Sequence, residues 1–283
     1  MSEPNTAPNA SQAEYWNTGA GPTWAAMQRP LDRQLAPLGR AAMAALAPQP
    51  GEDILDVGCG AGETVFELAR KVTPGGEVTG VDISATLLEA ARRRREGAPG
   101  VHFIEADAQT YGFPPGRFDG VFSRFGVMFF ADPVAAFTNL RRALKAGGRL
   151  AFVCWRTPAE NPIMTLPMQA ALAHLPPPEA PADPTAPGPF AFADAGRLRG
   201  ILEAAGFTDI AIAPHAEKIG GGDLDASLEL SLKVGPLGAL LRQHPDKADA
   251  VIGSVREALA RHVGPDGLKL DSATWIVTAR APG

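Results

Sequence analysis

The stretch Ile54-Leu55-Asp56-Val57-Gly58-Cys59-Gly60-Ala61-Gly62-Glu63-Thr64 constrains the fold more than any other. An apolar run leads into glycines at 58, 60 and 62, and a helical pattern follows. The run reads as a buried parallel strand. Without a Cβ, the loop can turn sharply and a ligand can lie directly on the main chain. The helix starting near Gly62 aims free N–H groups and a partial positive charge at that place. The spacing is G-x-G-x-G, not the G-x-G-x-x-G of a dinucleotide site. Asp56 stands two positions before the first glycine. It suits an ammonium group, directly or through water, and would repel a pyrophosphate. A second strand, Val78-Thr79-Gly80-Val81-Asp82, also ends in an acid. A carboxylate at that tip is placed to accept both hydroxyls of a ribose. Ile83 beside it offers an apolar edge to an adenine ring.

Together, Asp56-Val57-Gly58-Cys59-Gly60-Ala61-Gly62 and Gly80-Val81-Asp82-Ile83-Ser84 resemble the class I S-adenosylmethionine-dependent methyltransferases. The likeness is strongest to the small-molecule branch that includes the ubiquinone/menaquinone-biosynthesis enzymes, and it covers roughly residues 51–155. It implies an α/β fold: a doubly wound, seven-stranded, Rossmann-like sheet with six parallel strands and the last antiparallel. It further implies N-terminal leader helices, a C-terminal helical lid insertion, S-adenosylmethionine as cofactor and S-adenosylhomocysteine as product. Asp107 and Ala108, at the end of a third strand, become the place where the adenine amino group is read.

The expected organisation is a disordered polar tail (1–12), leader helices (13–50), a cofactor-binding core (51–156), a Pro-rich linker or lid (157–193) and the remaining sheet (194–283) with a helical lid (220–265). Trp16 and Trp24 either staple the leader to the sheet or close over cofactor or substrate, and the resemblance favours closure. Ser84 and Asp132 read as helix N-caps. The Asp132 helix is expected to run to Leu144 and to end on a glycine C-cap at Gly147-Gly148. Gly220-Gly221-Gly222 reads as a flexible joint.

The fourth strand exits through Ser123-Arg124-Phe125-Gly126, and ligands bind at the carboxyl ends of parallel strands. Ser123 is placed with the cofactor. Methyltransferases acting on amide or nucleobase nitrogens carry an Asn/Asp/Ser-Pro-Pro-Tyr/Phe element here, so its absence argues against such targets. Arg124 either binds an anionic group or pairs on the rim. Trp16, Phe125, Phe129 and Trp155 are candidates to line the acceptor pocket. Few catalytic side chains are expected, because a positioned nucleophile needs little side-chain chemistry. Arg124 and His215, which follows the sixth strand, are the candidates, and no metal spacing is present.

The formal net charge of −5 over 283 residues gives no general attraction to nucleic acid or an anionic membrane. No segment reaches the ~18 apolar residues of a membrane span, and the N-terminus lacks the regions of a signal peptide. Two cysteines, Cys59 and Cys154, fit a reduced, cytoplasmic protein. The basic run Arg92 to Arg95 reads as a solvated helix end. The expected partner is a small-molecule acceptor, and the chain a monomer or homodimer. A non-catalytic S-adenosylmethionine-binding regulator stays open. A nicotinamide dehydrogenase is disfavoured by the glycine spacing, Asp56 and the lack of a Tyr-x-x-x-Lys pair.

Overall fold

The computed structural model describes residues 7–95, 98–176 and 183–283. Before the sheet come α1 (Ala10–Glu14), a wide turn over Tyr15–Gly19 closed by the Ala20 N–H on the Tyr15 carbonyl, α2 (Gly21–Ala26) and α3 (Gln28–Leu46). On α3, Leu31, Leu35, Leu38, Ala42 and Leu46 repeat at helical spacing and are buried. That stripe lays the helix on the sheet.

The chain then alternates β1 (Ile54–Val57), α4 (Glu63–Val72), β2 (Val78–Asp82), α5 (Ala85–Arg94), β3 (Val101–Glu105), β4 (Phe118–Arg124), α6 (Pro133–Ala143) and β5 (Leu144–Trp155). All four residues of β1 are buried, as befits a strand covered on both faces. After β5 come α7 (Pro162–Ala171), α8 (Ala195–Ala204), β6 (Thr208–Gly222), α9 (Leu224–Lys233), α10 (Pro236–Gln243), α11 (Ala248–Ala260), β7 (Val263–Gly264) and β8 (Gly267–Arg280). The sheet order is β3-β2-β1-β4-β5-β8-β6, with β7 paired to β8. The first five strands in that order run parallel, and β8 is antiparallel to both β5 and β6. The order reverses between β1 and β4, which opens a cleft above their carboxyl ends.

The sheet has eight strands rather than seven, because β7 adds a two-residue hairpin partner. The two strands at the other edge are the longest in it. β6 has 15 residues and β8 has 14, and they pair from Thr208↔Arg280 to Gly222↔Leu268. The triple glycine is therefore not a joint but part of β6. At Gly220 the register shifts, φ is +133° and a Cβ would sit 2.3 Å from the Leu268 carbonyl oxygen. The crossing demands glycine and bends the strand without breaking it. The Asp132 cap is present, its carboxylate accepting the Ala135 N–H at 2.9 Å. The helix then ends at Ala143 and Leu144 is already extended, so Gly147 lies inside β5 and does not cap.

Helices α7, α9, α10 and α11 pack around the outer halves of β6 and β8. Leu228, Leu237, Val251, Val255, Leu268 and Leu270 form a second apolar core there, separate from that of the sheet. The N-terminal helices meet α9 where Met27 and Leu31 pack on Leu230. A groove of about 600 Å³ opens along this seam, between Pro22, Ala26 and Met27 on one side and Leu232, Leu241 and Arg242 on the other.

The start of the leader differs from expectation. Residues 1–6 of the expected tail lie outside the described residues, but Asn9 is only 3% exposed and α1 begins at Ala10. Part of the expected Pro-rich linker, 177–182, also lies outside them. Beyond it the Gly188 N–H bonds the Met128 carbonyl and Phe192 is buried. No helix among the described residues is long and apolar enough to cross a membrane.

Candidate functional site

The tips of β1, β2 and β4 converge on the glycine loop. Gly58 has φ +67°, and a Cβ there would lie 2.6 Å from the Cα of Gly126. Two loops, one after β1 and one after β4, thus touch backbone to backbone. Ser123 locks the same junction: its hydroxyl donates to the Val57 carbonyl at 2.7 Å and accepts the Gly126 N–H at 3.1 Å. Fully buried, it braces the strand tips, and its hydroxyl proton is not free for the cofactor contact expected of it.

The loop is shaped from within. The N–H groups of Gly58 and Cys59 bond the Val81 carbonyl, that of Gly62 bonds Cys59, and that of Gly60 donates to Asp82 Oδ2 at 2.7 Å. These amides are engaged, so the loop contributes form more than free donors. A Cβ on Gly60 would meet nothing within 4 Å, so the loop faces open space there. The Cys59 side chain is buried, and burial raises its thiol well above the usual range. It fills space and is no nucleophile.

Asp82 is 8% exposed and also accepts the Ser84 N–H, on Oδ1 at 2.8 Å. Burial raises its pKa, and the amides of Ser84 and Gly60 pull it back. Asp56 is fully buried. Its Oδ2 accepts the Thr64 hydroxyl at 2.5 Å, while Oδ1 has no partner among the described residues. Burial lifts its pKa to about 7, against the Thr64 hydrogen bond and the Arg124 charge, with Asp82 adding to the rise. A buried carboxylate with a free oxygen carries a desolvation cost that a cationic ligand would relieve.

Arg124, at the end of β4, is largely buried. Its Nη2 donates to Asp32 Oδ1 of α3 at 3.0 Å, and its Nη1 is buried without a partner among the described residues. Asp32 Oδ2 also meets Arg94 Nη1 at 3.3 Å. Arg94 in turn pairs with Glu63 and donates to the Ala61 carbonyl at 2.8 Å. The run Arg92 to Arg95 is therefore not wholly solvated: Arg94 ties the leader helix to the glycine loop. Phe125 follows with φ +62°, a costly conformation for an aromatic residue. It stacks on Trp155 at 4.3 Å and 10° between planes. Trp16 packs edge-on against both Trp24 and Phe129, at 5.4 and 5.3 Å.

The strip after β3 is covered by the leader. Asn9 Nδ2 donates to both oxygens of Asp107, at 3.0 and 2.9 Å, and to Gln109 Oε1 at 3.0 Å, while its own oxygen accepts the Ala131 N–H at 2.8 Å. Ala108 is buried and its carbonyl accepts from Asn139. Ile83 is half-buried and its carbonyl accepts from Asn17 at 3.2 Å.

Residues 54–148 match the family described as "Methyltransferase domain". Aklanonic acid methyltransferase DauC of Streptomyces sp. (strain C5) is 35% identical over 151 residues, covering 50% of this chain and 67% of the relative. The chain belongs to the S-adenosylmethionine-dependent methyltransferases. A demethylmenaquinone methyltransferase of Symbiobacterium thermophilum is 38% identical over 109 residues, 38% of this chain and 43% of that protein. With relatives of that kind the shared stretch thus spans less than half of their length. Among solved structures, the YcgJ protein of Bacillus subtilis superposes with a TM-score of 0.58 at 17% identity, covering 87% of this chain and 99% of that one. This likeness speaks for the fold alone.

In the methyltransferase, most expected residues come together at the strand tips: Asp56, Gly58, Cys59, Gly60, Gly62 and Asp82 around the loop, and Arg124, Phe125 and Trp155 beyond it. His215 does not join them. It sits on β6, at the far edge of the sheet, opposite Thr274 and 3.4 Å from Glu217. Thr274 in turn pairs with Trp155 of β5, so one strand separates His215 from the β5 tip. Sequence reasoning missed Asn9, Asp32, Thr64 and Arg94. Only Thr64 carried a signal, being eight positions after Asp56 and in the first turn of α4.

Proposed function

We propose that this methyltransferase passes a methyl group from S-adenosylmethionine to a small-molecule acceptor held between the β4 and β5 tips and the leader and lid helices. The single observation that carries the reading is the buried Oδ1 of Asp56, without a partner among the described residues, on the strand that leads into the open glycine loop. Both fit a cofactor with a cationic amino-acid end. Asp56 takes its ammonium, and the loop from Gly58 to Gly62 lies under its sulfur end. Asp82, held by two backbone amides, takes the ribose hydroxyls. Ile83 flanks the adenine, and Asp107 and Ala108 read its amino group, with Asn9 fixing the Asp107 carboxylate. Trp24 and Trp16 cover the site from the leader.

The sulfonium supplies an electrophilic methyl. What the chain adds is placement and dryness: well-oriented reactions draw ~7–11 kcal/mol from positioning alone. Phe125, Trp155, Trp16 and Phe129 give the acceptor flat apolar walls and exclude water. The named relatives act on aklanonic acid and on a demethylmenaquinone, which supports a compact apolar or aromatic acceptor here. Calorimetry of the purified protein with S-adenosylhomocysteine, followed by product detection from labelled S-adenosylmethionine over a panel of phenols, quinols and enolisable polyketides, tests the proposal. Absence of binding heat would overturn it. Binding with no product from any acceptor would leave a cofactor-binding protein without turnover.

A further inference from the structure

Arg124 carries more than the strand tip needs. Its guanidinium has one edge on Asp32 and leaves Nη1 buried and unpaired among the described residues. Asp32 is shared with Arg94, whose other partner is Glu63. Two guanidinium groups and two carboxylates thus balance one another, yet one buried N–H of Arg124 has nothing to donate to. An unmatched donor of this kind costs stability unless a ligand completes it. Asp56 shows the mirror deficit, a buried oxygen with nothing to accept from among the described residues.

The two deficits are neighbours. A Cβ on Gly39 of α3 would lie 2.9 Å from Arg124 Cδ and 3.9 Å from Thr64 Cγ2, and the Thr64 hydroxyl holds Asp56. The Arg124 stem therefore crosses α3 where that helix has no side chain, beside the residue that orients Asp56. One cationic donor and one carboxylate acceptor, both without partners among the described residues and near enough for the Arg124 charge to act on Asp56, match a zwitterion.

We propose that Arg124 is the residue that binds the carboxylate of the cofactor's amino-acid end, with Asp32 as the tether that aims it. This rests on the reading of Asp56 as the ammonium partner. It makes Arg124 a binding residue for the cofactor, neither a rim ion pair nor an acceptor contact. The chain would then discriminate a full amino-acid end from an amine alone.

Calorimetry with the full chain tests this with two probes: S-adenosylhomocysteine, and its decarboxylated analogue, which keeps the ammonium. The wild type is expected to bind the first about 10–100-fold more tightly, the effect of one buried charge-assisted hydrogen bond. Arg124→Gln should weaken S-adenosylhomocysteine by that factor and leave the analogue within about threefold, so that discrimination disappears. Should Arg124→Gln misfold, by melting temperature and near-UV circular dichroism, Gly39→Ala serves instead: it displaces the Arg124 stem without removing a charge and should shrink the same ratio. Equal affinities for both probes in the wild type, or equal losses for both in the variant, would overturn the assignment. No heat from S-adenosylhomocysteine in the wild type would instead bring down the cofactor reading on which it stands.

Discussion

Cofactor affinity should depend on pH through Asp56. The ligand-free carboxyl has a pKa of about 7, raised chiefly by burial. An incoming ammonium favours the charged form, so binding must drive the proton off. If only ionised Asp56 accepts the ligand, about 9% of the protein is competent at about pH 6 and about 91% at about pH 8, roughly a tenfold gain in apparent affinity. Titrations of S-adenosylhomocysteine in buffers of differing ionisation enthalpy should also show a proton released near the lower pH and almost none near the upper. Asp56→Asn should remove both signatures and weaken binding throughout. The stability of the ligand-free protein must move the other way. An acid whose folded pKa is raised adds stability that is fully present below about 3.8, its unfolded value, and lost as pH rises to about 7. The loss has an upper bound on the order of 4 kcal/mol, from ~1.4 kcal/mol per pH unit. The asparagine variant, neutral at every pH, should therefore melt higher than the wild type at about pH 8 while binding worse. Affinity flat across this range, with no proton release, would refute the assignment of Asp56 to the ammonium.

Three further outcomes are expected. Asn9→Ala removes every bond that fixes the leader to Asp107 and Gln109. It should lower stability by about 1–3 kcal/mol and expose the first helix to limited proteolysis. Gly58→Ala puts a Cβ 2.6 Å from the Gly126 backbone at φ +67°, so it should cost several kcal/mol or prevent folding, on the order of a severe core lesion, as read by thermal melts of the soluble fraction. Trp16→Ala opens the aromatic wall against Phe129, and it should raise the KM for the acceptor while moving S-adenosylhomocysteine affinity by less than about threefold, since the loop and Asp82 are untouched.

What was legible in the sequence was local. Asp56, the three glycines and Asp82 lie within 27 positions of one another on consecutive strands, and their chemistry follows from strand, turn and strand tip alone. Ser84 and Asp132 declared themselves as caps because a cap acts on the next turn. The triple glycine misled because composition cannot distinguish a hinge from a bulge: only the Leu268 carbonyl, 48 positions after Gly220, decides it. Arg94 misled for the same reason. Its run looks like a dipole-satisfying helix end, but Asp32 stands 62 positions earlier and enters only when α3 docks. Arg124 is the sharpest case. The sequence leaves it balanced between an anionic ligand contact and a rim pair: one edge is paired with Asp32, and the other is buried without a partner among the described residues. A chain that tethers half of a guanidinium and leaves the other half dry holds a donor oriented before any ligand arrives. Such a preformed site lowers the ordering cost of binding, and the unmatched hydrogen bond marks where a partner belongs.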